Sequence, residues 1–260
     1  MKFGPGHPLA YPVTVTIGAL AVCLVWAPFG NLDQVAALAT VALGIVGYTG
    51  FQLAMALGHL PNGLASTVDN PARPPRADGS GQQSSRRAEA ADSGDQPSST
   101  GRANGEVPRT VEIKRVRQQH RLVSRSWLEI TENYRTRWLP VFFDPALLGM
   151  TETEAEVTAR SVDTASLHFY PSGKARNSEP PGRLIDNPSR PDPDALVLAT
   201  DSARFRRRLL LDAQSTVAAP FVALMWVYVA AGGFTAFLAA TSVAAATTIW
   251  LAAIRGSDPS

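Results

Sequence analysis

Cysteine is nearly absent from this chain, with Cys23 the only one. That excludes an intramolecular disulfide framework and any zinc site built on thiolates. Histidine is scarce and scattered, at His7, His59, His120 and His168, without the spacing of a metal site. No metal or cofactor is therefore expected. A nucleophile elbow, a phosphate loop, an HExxH helix and a paired-carboxylate motif are all missing. Asp144, Asp163, His168, Lys174, Glu179 and Asp186 could serve an enzyme, but they form no recognisable arrangement and no catalytic residue is assigned. Net charge is small as well, +2 over 260 residues, which argues against a nucleic-acid binder.

Charge is also missing locally, and here the absence is informative. Val13 to Phe29 has no charged residue and is framed by Tyr11 and Trp26. At 1.5 Å per residue such a helix is roughly 25 Å long, just enough to span a bilayer. A second uncharged run covers Val35 to Leu57, after a turn at Gly30-Asn31-Leu32-Asp33. Residues 1–60 thus read as a first transmembrane hairpin, with spans at 13–29 and 35–57. A cleaved signal is disfavoured because Trp26-Ala27-Pro28 lacks the small-x-small pattern. Leu20-Ala21-Val22-Cys23 is a poor lipoprotein box, so Cys23 reads as a small hydrophobe.

Asp69 to Glu106 lacks every large apolar and aromatic residue. Nothing in it can offset the entropy of ordering, so 61–108 reads as a disordered linker. Its Ser and Arg residues leave a docking tether as the alternative to a plain spacer.

From Thr110, Ile113, Val116, His120, Val123, Trp127, Ile130 and Tyr134 follow one another at alternating spacings of three and four. This heptad-like seam predicts a basic helix over 109–138, ended by Pro140. Eight bases against three acids between Arg109 and Arg137 suit a helix lying on anionic headgroups. The seam could equally pair with another helix, or cover the chain's own β module with the arginines solvated. Val116, Val123, Trp127, Ile130, Tyr134, Trp138, Phe142 and Phe143 are the candidate packing or partner residues. Beyond Pro140 the period changes to two, and 139–200 reads as a small β module. Its expected strands are Trp138 to Phe143, Glu154 to Val162, Ala165 to Tyr170 and Arg183 to Ile185, with Ala155, Val157 and Ala159 on a buried face. A proline-rich return closes it.

Residues 201–216 read as a juxtamembrane basic helix capped by Asp201 or Ser202, with Arg204, Arg206, Arg207 and Arg208 as a membrane-surface anchor. Residues 217–260 then form a second hairpin, with spans at 214–231 and 234–254 around Gly232-Gly233. Ala236, Ala240, Ala244, Thr248 and Ala252 give the last span a small-residue packing face. The short loops 30–34 and 232–233 hold none of the 24 Lys and Arg residues. The positive-inside rule therefore predicts a cytoplasmic membrane protein with both termini and the central region in the cytoplasm. None of the four runs contains Asp, Glu, Lys, Arg or His, which disfavours ion-coupled transport.

The stretches ENYRTRWLPVFFDPALLGM and YPSGKARNSEPPGRLIDNPSRPDP resemble uncharacterised integral membrane proteins of actinobacteria, the mycobacterial group in particular. The resemblance covers mainly residues 125–190 and implies no functional residues. The expected fold is an α-helical membrane protein with four transmembrane helices in two hairpins and a small cytoplasmic α+β module. The expected role is a non-enzymatic accessory or scaffold protein. Its partners would be the bilayer, anionic headgroups, and another membrane protein or further copies of itself. A membrane-bound enzyme acting on a lipid or envelope precursor, and a ligand or lipid sensor, remain the alternatives.

Overall fold

Two helical hairpins flank an antiparallel sheet in the computed structural model, which describes residues 7–64, 108–187, 190, 193–230 and 232–260. The expected linker Asp69–Glu106 lies outside these residues.

The first hairpin pairs α1 (Ala10–Trp26) with α2 (Leu32–Ala56), joined by a 3-10 turn at Ala27–Phe29. Helix α2 starts at Leu32 rather than Val35 because Asn31 and Gln34 form a reciprocal capping box. The Asn31 side chain accepts from the Gln34 amide (2.9 Å), and the Gln34 side chain accepts from the Asn31 amide (3.2 Å).

Among the described residues, four helical segments are long and apolar enough to cross a membrane: Ala10–Phe29, Leu32–Ala56, Phe205–Ala230 and Phe234–Ile254. The third begins at Phe205, not near 214. Helix α3 (Ala195–Ala203) breaks at Arg204, and α4 (Phe205–Ala213) continues through a 3-10 stretch, Gln214–Ala218, into α5 (Ala219–Ala230). The separate basic helix expected over 201–216 is thus divided between α3 and the start of the third long segment. Asp201 and Ser202 lie inside α3 and cap nothing; Asp201 instead pairs with Arg204 at 3.0 Å. Pro220 stands in the first turn of α5, where its missing N–H costs little.

Helix α6 (Phe234–Ile254) packs between α1 and α5, with all five positions of its small-residue stripe half-buried. Val15, Ala19 and Cys23 of α1 join Ile45 of α2 and Trp250, Ala253 and Ile254 of α6 in one cluster. Trp26 Nε1 donates to Ser242 Oγ (2.7 Å), and Trp250 Nε1 donates to Thr49 Oγ1 (3.0 Å). Each indole N–H thereby meets a hydroxyl on a neighbouring helix.

The region 109–138 is not a helix. It forms three long strands, β1 (Arg109–His120), β2 (Val123–Glu132) and β3 (Arg135–Val141). Four shorter ones follow: β4 (Thr153–Val157), β5 (Val162–Asp163), β6 (His168–Phe169) and β7 (Arg183–Asp186). All pair antiparallel, in the order β3-β2-β1-β4-β5-β6, with β7 on the second half of β1. The sheet curls into a half-barrel. Ala155, Val157 and Ala159 are buried as expected, but the run Glu154–Val162 divides into β4 and β5.

Two-residue reversals explain how a periodic stretch became hairpins. His120 pairs with Val123 across Arg121-Leu122, and Glu132 with Arg135 across Asn133-Tyr134. Asn133 and Tyr134 both have positive φ (51° and 61°), the geometry that matches strand twist. The concave core comprises Val111, Ile113, Leu128, Ile130, Leu139, Val141 and Val157 from the strands, closed by Leu147 and Met150. Leu64 also plugs it, so Pro61–Leu64 belongs to the folded unit rather than to the linker. Asn62 bonds the Ala159 carbonyl and receives the Ala175 amide, while Arg137 donates to the Leu64 carbonyl at 2.7 Å.

Candidate functional site

The densest buried polar chemistry lies where the sheet meets the helical hairpins. It begins with the last five residues. Gly256, at φ +78°, turns the chain out of α6; a Cβ there would stand 2.7 Å from Ser172 Oγ and 3.0 Å from the Val141 carbonyl. Beyond this turn Ser257 bridges to Arg125 of β2, and the Asp258 amide donates to the Ser124 carbonyl (2.9 Å). The tail therefore adds itself to the end of the sheet.

Asp258 then enters the concave face. Its Oδ2 accepts from Arg115 Nη2 (2.6 Å) and Ser126 Oγ (2.6 Å), and its Oδ1 from the Ser260 amide and hydroxyl (2.9 and 2.7 Å). Both partners are buried, with side chains 3% and 0% exposed. Burial pushes the Asp258 carboxyl up, but Arg115 and the bonds from Ser126 and Ser260 outweigh it and hold it below the usual carboxylate range. Arg115 also donates to Asn187 Oδ1 (2.9 Å), whose amide nitrogen satisfies the Leu147 and Met150 carbonyls.

A second carboxylate sits alongside. Asp212 of α4 accepts from Tyr11 Oη of α1 (2.6 Å) and from Ser257 Oγ (2.9 Å). One turn earlier, Arg208 is buried with its Cζ 4.0 Å from the Tyr11 ring centroid and 5.5 Å from that of Phe143. In a desolvated setting such cation–π contacts are each worth up to about 2 kcal/mol. Phe142 lies in a cluster with Leu9, beside α1, and Ala56, at the end of α2. Gln52 of α2 donates to the Ser172 carbonyl (3.2 Å). Both hairpins are thus tied to the sheet by side chains distant in sequence.

This geometry redistributes the predicted residues. Phe142 and Phe143 are joint residues, touching the helical hairpins instead of a covering helix. Val116, Trp127 and Trp138 form a small cluster with Leu184 on the convex face, while Ile130 faces the opposite, concave core. The expected single seam is therefore split between two faces. Val123 is only half-buried at a strand start, and Tyr134 is fully exposed on a turn, so neither belongs to a packing seam. Arg204, Arg206 and Arg207 are exposed, as an anchor requires, but Arg208 is not a surface residue. Composition alone could not separate it from its neighbours; its spacing to Asp212, one turn away, was the available signal.

The groups weighed for catalysis are dispersed. Asp163 pairs with His168, which meets the Tyr170 ring edge-on. Asp186 lies 3.6 Å from Lys114, and Asp144 caps the turn at Pro145–Gly149 through the Ala146 amide. Lys174 and Glu179 are exposed. Among the described residues, no three His, Cys, Asp or Glu side chains are placed to hold a metal.

Two open clefts adjoin the joint. One of about 300 Å³ is bordered by Arg117, Ser124, Leu211, Asp212, Ser257 and Asp258. Burial holds the Arg117 guanidinium below its usual value, with Asp258 opposing and Arg115 and Arg207 adding to the effect. The other, about 230 Å³, lies on the convex side around Arg125 and Trp127. None of the family models, curated proteins or solved structures compared with this chain matches it.

Proposed function

We propose that this chain is an accessory or scaffold protein of the cytoplasmic membrane. Its four long helices cross the bilayer, and its half-barrel sheet is held on the cytoplasmic surface for a membrane complex or for further copies of itself. The observation that carries this reading is the joint. Arg115–Asp258 and Tyr11–Asp212–Ser257 join the sheet to the first, third and fourth long helices through buried charges and hydrogen bonds. A catalytic or transport group needs access to a substrate; these groups are consumed by one another. What they supply is a fixed orientation of the sheet relative to the helices, which a presenting module requires. The orientation across the membrane rests on the absence of Lys and Arg from loops 30–34 and 232–233.

The exposed reversals at Leu122 and Tyr134 are the points to probe. Photo-crosslinkers placed there in the full chain, in its native membranes, are expected to give discrete products of reproducible mass. Asp258→Ala is expected to remove them by releasing the sheet. Monomer alone from both positions overturns the proposal.

A further inference from the structure

The cleft on the convex face is lined by three guanidinium groups and no carboxylate. Arg121 and Arg125 come from the β1–β2 hairpin and Arg176 from the loop before β7, with His120 and Gln118 beside them and Trp127 among the lining residues. Arg176 lies over the Trp127 ring, its Cζ 5.0 Å from the centroid. The Nε of Arg125 is buried and has no hydrogen-bond partner. Three other bases of the sheet are matched by acids: Arg109 with Glu132, Lys114 with Glu129, Arg115 with Asp258. None of Arg121, Arg125, Arg176 or Arg255 has such a partner among the described residues. Guanidinium stays protonated in proteins, so these charges cannot be relieved by losing a proton.

We infer that this cleft binds the phosphate of an anionic membrane lipid. Arginine forks match phosphate oxygens two at a time, and an anion between them turns mutual repulsion into attraction. The volume, about 230 Å³, is that of roughly seven or eight waters at ~30 Å³ each, which suits a phosphate and its first substituents. Burial, then Arg255, holds the Arg125 guanidinium below its usual value, Tyr48 opposing and Arg176 adding to the effect.

Location selects a lipid as the source of the phosphate. Arg125 bridges to Ser257, which follows the end of α6 at Ile254 by three residues. Arg255 Nε is 3.5 Å from Tyr48 Oη of α2, and Tyr48 meets Trp250 edge-on at 5.8 Å. Tyrosine and tryptophan beside an arginine cluster mark headgroup depth in a membrane helix. Below it, α2 exposes Leu43 and Val46, an apolar surface for acyl chains. The inference rests on the proposed membrane insertion of these helices, but not on any protein partner.

The test uses the full chain in nanodiscs of phosphatidylcholine, with and without phosphatidylglycerol, and hydrogen exchange over Gln118–Trp127 as readout. Phosphatidylglycerol is expected to slow exchange there, with an effect that weakens about fivefold for each arginine removed in Arg125→Gln/Arg176→Gln. Should that pair impair folding, judged by the sheet's circular dichroism, Arg121→Gln/Arg255→Gln removes one exposed charge of the cleft and one exposed charge outside its lining instead. Arg206→Gln/Arg207→Gln is the control: it is expected to weaken lipid response without moving the protected segment. Inorganic phosphate in neutral nanodiscs separates the sources. Equal protection by inorganic phosphate overturns the lipid assignment, and no protection by either overturns the site. Protection that survives full removal of the cleft arginines overturns it as well. Cross-linking from Leu122 and Tyr134 reads the scaffold proposal independently of these outcomes.

Discussion

Asp258 illustrates how a single residue near the end of the chain can govern the joint. Its carboxylate neutralises Arg115 and accepts four hydrogen bonds in the end of the half-barrel. Removing one member of a buried pair strands the other, at about 3–5 kcal/mol. Asp258→Ala is therefore expected to lower stability by that order, measured by denaturant unfolding in detergent. Asp258→Leu combined with Arg115→Met should lose much less, because no buried charge remains. A pH dependence follows from the direction of the shift. The folded carboxyl lies below its ordinary value of about 3.9, so its contribution is fully present above that pH and is lost as the pH falls through the folded value. Acid titration of the unfolding midpoint should thus show a loss below about pH 4 that Asp258→Asn abolishes. An unchanged acid limb in that variant would sink the assignment.

At the scale of elements, the long apolar helices were legible and the sheet was partly hidden. Uncharged runs announce helices through length and composition, and the capping residues Asn31 and Gln34 only moved a boundary. The β1–β3 region misled because its apolar residues recur at three and four across two turns. Strand alternation is present in Thr110-Val111-Glu112-Ile113-Lys114, but Arg115 then occupies a core position and the adjacent Val116 is buried on the other face. A buried arginine on the concave side breaks the apolar alternation that marks a strand. The Asn133-Tyr134 turn was the overlooked signal, since Asn favours positive φ. Tyr134 decides between the two readings of this stretch. In a helical seam it would pack, whereas on the turn its side chain is solvated and its backbone is in the left-handed region. Glycine removes a penalty of about 1–2 kcal/mol at such a position. Tyr134→Gly is therefore expected to raise the unfolding midpoint, while a drop would revive the seam.

For the whole molecule the question is whether sheet and helices unfold together. Two units with separate cores, one concave within the half-barrel and one between α1, α2 and α6, would ordinarily melt apart. What couples them is not apolar area alone. The joint contributes a buried ion pair, the Tyr11–Asp212–Ser257 bonds and the Phe142 cluster, and two of these three depend on the tail after α6. None of this coupling was readable from the sequence, since Tyr11, Arg115, Asp212 and Asp258 are far apart and the three charged ones look like ordinary surface residues. Truncation after Arg255 takes away Ser257 and Asp258 together while leaving every long helix intact. The shortened chain is expected to show two transitions where the full chain shows one, with faster hydrogen exchange confined at first to β1 and β2. The helices should melt last, because their mutual packing does not involve the tail. If the truncated chain still unfolds in a single step at an unchanged midpoint, the tail is a bystander. The coupling would then have to come from Phe142, Gln52 and their apolar neighbours.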